Sequence, residues 1–175
     1  MIISTERLMV RYFEETDGSD LHDYLSKKEV LEFEPYEPFS FEASVVEAKR
    51  RSEDKNFYAV ALKTGKVIGN LYLAQEDFGN WELGYVFNRD YWGYGYAIES
   101  AKALITYAFE NWNVRRIVAM CDPLNEHSWK LLERLNFRRE GTLIKNVYFN
   151  KDDNGNPIWK NTYEYGLLKE EWIKK

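Results

Sequence analysis

Apolar residues in this chain recur with two periods, two and three-to-four, and the points where one period gives way to the other mark out its elements. Arg7 to Phe13 (Arg-Leu-Met-Val-Arg-Tyr-Phe) reads as a first strand, and Asp17-Gly-Ser-Asp20 supplies turn and N-cap chemistry for a helix through about Lys27. Pro35 and Pro38 restrict their neighbours, so Glu34-Pro-Tyr-Glu-Pro38 is a loop, after which Ser40 caps a second helix through Arg51. Phe57 to Leu62 and Val67 to Ala74 are strands joined by a hairpin at Lys63-Thr-Gly-Lys66. Trp81 to Phe87 alternates, with Trp81, Leu83, Tyr85 and Phe87 on one face and Glu82, Gly84 and Val86 on the other. These three runs predict an antiparallel meander. Gly69 and Gly84, inside strands, predict a bulge or a close approach of ligand to backbone.

Beyond Phe87 the period changes. Ala97, Ile98, Ala101, Leu104, Ile105, Ala108, Phe109 and Trp112 recur at helical spacing and define the buried stripe of a four-turn helix. Arg115 to Cys121 is then a strand ended by Asp122-Pro123, and a strand–helix–strand connection of this length predicts a parallel, right-handed crossover beside the strand ending at Phe87. Asn125 caps a further helix with Trp129, Leu132 and Leu135 inward, and Asn136 closes it in the left-handed conformation. Leu143 to Phe149 and Ile158 to Leu168 are strands joined across the polar turn 151–156. The order is strand, two helices, three strands, helix, strand, helix, two strands.

Between strand and helix lies Asn88-Arg-Asp-Tyr-Trp-Gly-Tyr-Gly-Tyr-Ala97. A glycine turn opening a helix leaves several backbone N–H groups unpaired at its positive end, which makes an anion site suited to phosphate. Two phosphate motifs fail here. No Gly-Lys-Ser/Thr triplet of a P-loop occurs, and Ile98 stands where the dinucleotide fingerprint needs a third glycine or alanine.

Composition narrows the partner. With 175 residues, 45% hydrophobic, 17% aromatic and 30% charged, the chain is expected to be a single soluble globular domain spanning 1–175. A formal charge of −5 argues against nucleic acid and favours a cationic substrate. The single cysteine, Cys121, excludes an internal disulfide, and the first residues lack a signal-peptide core, so the expected compartment is the cytoplasm. No apolar run reaches the roughly 18 residues of a membrane span. His22 and His127 lack metal-ligand spacing, so no metal is expected.

Tyr-Trp-Gly-Tyr-Gly-Tyr-Ala-Ile-Glu (91–99), Asn-Glu-His-Ser (125–128), Leu-Leu-Glu-Arg-Leu-Asn-Phe (131–137) and Arg-Glu-Gly (139–141) together resemble the GNAT N-acetyltransferase superfamily. The branch most similar is that of the ribosomal-protein (Rim-type) acetyltransferases, which Thr5-Glu-Arg-Leu8 with Arg11 and Tyr165 to Trp172 also resemble, so the likeness spans nearly the whole chain. It implies an α/β (α+β) fold: a mixed sheet of about seven strands, splayed between the fourth and fifth, with about four helices. It implies acetyl-CoA as co-substrate, its pyrophosphate on the N–H groups of Gly93, Tyr94, Gly95, Tyr96 and Ala97, its pantetheine arm along the Val86 and Phe87 backbone, and Asn125 and Ser128 facing the arm. One residue departs from the family: Asp90 stands where Gln or Arg is usual, and is expected to point away, capping the helix or pairing with Arg89.

Acetyl transfer needs an unprotonated amine, donors for the thioester oxygen and a proton for the departing thiolate. Alpha-amines and lysines, with pKa values of about 8 and 10.4, are mostly protonated at neutral pH, whereas a thiol leaves at about 8.5. The tyrosine acid of many superfamily members would fall at Leu132, so it is absent. In the Rim-type branch the serine matching Ser128 is the proton donor proposed for the thiolate; the alternative for Ser128 is an ordinary first-turn helix serine. Glu82, opposite the Trp81-Leu83-Tyr85 face, is the base candidate, with an exposed strand carboxylate as its alternative. Glu32, Glu34 and Tyr36 either line a cationic substrate's entrance or are surface residues, and Cys121 reads as core rather than nucleophile. The expectation is an N-acetyltransferase using direct attack in a ternary complex, as monomer or homodimer. Its acceptor amine is a protein N-terminus or a small molecule; the alternative is a non-catalytic acyl-CoA-binding domain.

Overall fold

A computed structural model describes residues 2–173, with side chains through Trp172. In chain order the elements are β1 Ile2–Ser4, β2 Leu8–Tyr12, α1 Gly18–Leu25, α2 Phe41–Glu53, β3 Phe57–Leu62, β4 Val67–Gln75, β5 Asn80–Phe87, α3 Tyr96–Asn111, β6 Arg116–Cys121, α4 Glu126–Arg134, β7 Arg138–Lys151, β8 Pro157–Leu168 and α5 Lys169–Ile173. All strands join one sheet in the order β1-β2-β3-β4-β5-β6-β8-β7. Every pairing is antiparallel except β5 with β6. The described residues therefore hold eight strands and five α-helices, against the expected seven and four. The additions are β1, too short to carry a pattern, and the five-residue α5. β7 also starts at Arg138 rather than Leu143, because its first residues pair with β8 through charged side chains and show no apolar alternation.

The sheet has a core on each face, and period two sorts residues between them. On β3, Tyr58 and Val60 join the cluster under α3 and α4, with Leu104, Ile105, Phe109 and Leu132, while Ala59 and Ala61 join the cluster under α1 and α2, with Leu21, Tyr24, Leu25 and Ala48. On β5, Leu83 and Phe87 belong to the first cluster and Val86 to the second, as the alternation requires. Helix ends follow their caps: Ser40 Oγ accepts from Ala43 N, and Asn136 takes φ 66° with Phe137 N donating to Leu132 O.

Two departures from regular pairing shape the centre. The β3–β4 register shifts between Val60 and Ala61, and Gly69 sits opposite Val60 and Phe87. A methyl group on Gly69 would come within 2.5 Å of Phe87 Cδ1 and 2.7 Å of Val86 O, so the backbone approached here is that of the neighbouring strand and not of a ligand. The second departure is that β5 and β6 pair only at Asn80–Arg116, Trp81–Ile117 and Glu82–Val118, although β5 runs on to Phe87 and β6 to Cys121. The strands part after Glu82, which is the splay that the resemblance implied.

Gly69→Ala is expected to destabilise the fold by about 1–3 kcal/mol through overpacking against Phe87, whereas Gly65→Ala, in an open hairpin turn at φ +95°, meets no neighbour and carries only the backbone cost of about 1–2 kcal/mol. Urea unfolding of both variants measures the difference; equal losses would show that Gly69 is not packed as described.

Candidate active site

The gap between β5 and β6 opens into a cavity of about 650 Å³. At one end stands the glycine turn. Gly93 and Gly95 adopt φ +82° and +81°, where a Cβ is strained, and the turn feeds the 16-residue α3 directly. The backbone N–H groups of Gly93 to Ala97 donate to none of the described residues, so five donors and the positive end of a long helix converge. That arrangement fits a pyrophosphate. Gly93, Gly95, Tyr96 and Ala97 line the cavity; Tyr94 does not, its ring being exposed and stacked on Tyr96 while its carbonyl accepts from Arg7 Nη1 at 2.9 Å.

A clamp holds the turn. Glu99, in the first turn of α3, accepts from Thr5 Oγ1 at 2.6 Å, from Arg7 N at 3.0 Å and from Arg7 Nε at 2.7 Å, and the Arg7 guanidinium lies 4.6 Å from the Tyr96 ring centre. These contacts overcome the upward push of burial and hold the Glu99 carboxyl below its ordinary value. On the other side Asp90 pairs with Lys27 at 2.7 Å, and Lys27 also donates to Asn88 Oδ1 at 2.9 Å. Asp90 thus points away from the cavity, and its partner is Lys27 rather than Arg89, which pairs instead with Glu29. The helix cap expected of Asp90 is absent too: the N-cap position of α3 is Gly95.

Along the gap, Val86 and Phe87 line the cavity from β5. The Phe87 carbonyl already accepts from Trp92 Nε1 at 2.8 Å, which leaves it one lone pair. From α4, Asn125 Oδ1 caps the helix by accepting from Ser128 N at 3.2 Å, and no described residue accepts from its Nδ2. Ser128, 9% exposed, places its Oγ 2.8 Å from the Tyr85 hydroxyl, which lies 3.1 Å from the Ser128 carbonyl. Burial raises the Tyr85 hydroxyl against the opposing effect of Ser128. Burial also pushes the Cys121 thiol up to about 11, so it stays a neutral thiol beside Ser128.

The far lobe is lined by Glu34, Tyr36, Arg51, Asn70, Tyr72 and Glu82, with Asn146, Val147, Phe149 and residues 160–162 of the β7–β8 hairpin also on its wall. Glu82 is half-buried and its carboxyl is raised, first by burial and then by the nearby charge of Glu76. Glu34 is raised by burial against the opposing effects of Tyr36 and Arg51. Glu32 stays exposed and lines nothing, and His22 and His127 are apart, His127 lying against Trp92. Sequence reasoning missed Tyr85, Arg51 and Lys27. Tyr85 carried one signal, its place on the strand leading to the turn.

The chain matches the acetyltransferase (GNAT) domain family over residues 7–138. It belongs to the GNAT acetyltransferases. An N-acetyltransferase of Bacillus subtilis (strain 168), named YnaD and described as uncharacterized, is 33% identical over 98% of this chain and 99% of its own. A GNAT-family acetyltransferase of Bacillus anthracis superposes with a TM-score of 0.88 at 31% identity, over 98% of this chain and all of that one. Spermidine N-acetyltransferase from Vibrio cholerae, solved with CoA and spermine, shares the fold at a TM-score of 0.79 and 18% identity, over 97% of this acetyltransferase and 99% of that chain. Family membership implies acetyl-CoA as the acyl donor, consistent with the N–H cradle. No helix among the described residues is long and apolar enough to cross a membrane.

Because the folded Glu99 carboxyl is depressed, the acetyltransferase gains stability from it above the unfolded value near 4.5 and loses that part as pH falls through the folded value. Glu99→Gln is therefore expected to flatten the acid side of the stability curve below about pH 4.5, read as urea midpoints across that range. A curve parallel to that of the parent would show that the clamp does not titrate.

Proposed function

We propose that this acetyltransferase moves the acetyl group of acetyl-CoA onto a primary amine, a protein N-terminus or a small molecule, by direct attack in a ternary complex. The observation that carries the reading is one cavity joining the unpaired N–H groups at the α3 N-terminus, the open β5 edge and a lobe holding a half-buried carboxylate. Acetyl-CoA brings a thioester whose carbonyl carbon takes the amine's lone pair and whose C–S bond breaks to leave a thiolate.

The N–H groups of Gly93, Tyr94, Gly95, Tyr96 and Ala97 hold the pyrophosphate, with Tyr94 contributing backbone only. Val86, Phe87 and the free Nδ2 of Asn125 orient the pantetheine amides. Glu82, whose raised carboxyl makes it a better base than an ordinary glutamate, takes the ammonium proton directly or through water. Ser128 donates a hydrogen bond to the sulfur, which leaves as a thiolate and takes up the second proton of the attacking nitrogen, while the Tyr85 hydroxyl, donating to the Ser128 carbonyl and 2.8 Å from Oγ, holds the serine in place. The tyrosine acid missing at position 132 is in this reading dispensed with, because a thiol with a pKa of about 8.5 leaves with little acid assistance. Cys121 stays neutral and takes no part in group transfer.

Thiol release from acetyl-CoA with an accepted amine measures these roles. Ser128→Ala is expected to lower kcat by about ten-fold or more, and Tyr85→Phe by less, since the serine remains; a loss of under a few-fold in Ser128→Ala removes the serine from the mechanism. The kcat/KM profile of the parent enzyme should fall on the acid side through a limb above pH 4.5, the ordinary glutamate value, because Glu82 must be ionised and its carboxyl is raised. Glu82→Gln should lose that limb and keep the amine limb near about pH 8; an unaltered profile sinks the base assignment.

A further inference from the structure

The far lobe contains a cation that its protein neighbours leave incompletely satisfied. Arg51, on α2, is 3% exposed and still lines the cavity. Its Nε donates to Glu47 Oε1 at 2.6 Å and its Nη1 to Asn70 Oδ1 at 2.9 Å. Tyr24 also forms a side-chain hydrogen bond with the guanidinium, and the donors then left on Nη1 and Nη2 meet none of the other described residues. The guanidinium carbon lies 4.8 Å from the Phe57 ring centre and 5.4 Å from that of Phe13, so the plane is fixed between aromatic faces.

The charge of Arg51 is matched only within a cluster, in which Arg50 bridges Glu47 and Asp54. Glu47 is shared, because it also accepts from Arg50 Nε and Nη2 at 2.8 Å each. Glu34, the next carboxyl within electrostatic reach, forms no ion pair with Arg51. Asn70 Oδ1 is taken twice, by Arg51 and by the Tyr24 hydroxyl at 2.9 Å, so it has no lone pair left for the fork. The donors left over open on the cavity, where water or a ligand meets them, and the planar fork matches a carboxylate in shape and charge.

The register places this group on the acceptor's side of the sheet. Asn70 pairs with Val86, Tyr72 with Gly84 and Ala74 with Glu82, and directly opposed residues of an antiparallel pair face the same way. Arg51, Asn70, Tyr72 and Glu82 therefore share one face, over which α1 and α2 pack. An amine held near Glu82 and an anionic oxygen group held at Arg51 lie in one lobe, walled by Phe33, Tyr36 and Phe57.

We infer that the acceptor is a carboxylate-bearing amine with an apolar body, an amino acid or short peptide with a free carboxylate, and not a polyamine. The inference rests on the acetyltransfer reading above and names the acceptor class of that site. A polyamine would meet Glu34 and Glu82 in the lobe but would offer the Arg51 fork no acceptor oxygen.

The test pairs each candidate with its own carboxamide: free amino acids of differing side chain, dipeptides and ω-amino acids, with spermidine as the cationic control. Thiol release should give kcat/KM about ten-fold or more higher for the carboxylate member of at least one pair, and Arg51→Gln, checked for folding by its Tm and for acetyl-CoA binding, should bring that ratio towards one. Carboxamides equal to or better than their acids, or spermidine as the best acceptor, overturn the inference. Should Arg51→Gln not fold, the ratios of the parent enzyme decide. Calorimetry on the CoA-loaded enzyme separates this inference from the acetyltransfer reading. Tighter binding of the acids without turnover upholds the carboxylate site and sinks the transfer; no binding of any acid overturns the site.

Discussion

The parting of β5 from β6 is the constraint on which the rest of the molecule depends. Two parallel strands that separate after three residue pairs leave facing edges of N–H and C=O groups without partners, and such groups must be met by protein, water or ligand. The surroundings meet them only in part. Trp92 takes one lone pair of the Phe87 carbonyl at the turn end. What stays open runs from the α3 N-terminus along the β5 edge into the far lobe, the course that the proposed reading gives to acetyl-CoA.

The sheet also divides labour between its faces. The α3 and α4 side supplies the anion cradle, Asn125 and Ser128; the α1 and α2 side supplies Asn70, Arg51 and the Glu82 face. Only at the gap are the two sides continuous. A reaction joining a cofactor-held group to a separately held amine therefore has one place to occur, set by strand geometry and not by any single side chain. The β7–β8 hairpin closes that place from the far edge, with residues of both strands on the cavity wall.

Much of this was legible in sequence because it is local. Strict alternation over 81–87 sorts Leu83 and Val86 to opposite cores, the three-to-four spacing from Ala97 sets the α3 stripe, and Asn136 takes the left-handed cap its position called for. What escaped depends on contacts between residues distant in sequence. Asp90 finds Lys27 some sixty positions earlier, Arg51 meets Asn70 from another element, and Tyr85 meets Ser128 across the gap. Tyr94 sits inside the glycine motif and yet turns its ring outward, since a motif fixes backbone course more firmly than side-chain direction. β1 went unseen because three residues are too few for any period to show.

Lys27 links two parts of the cavity wall that are far apart in sequence. It sits at the end of the first helix pair, the layer that covers the acceptor lobe, and its ammonium ties that layer to Asn88 and Asp90 at the base of the phosphate turn. If an anion at the turn shifts these contacts, the layer over the lobe shifts with them. Linkage makes the exchange reciprocal, so whatever factor one ligand imposes on the other's affinity is imposed in reverse. A single lysine thus joins the base of the glycine turn to the layer over the other end of the cavity.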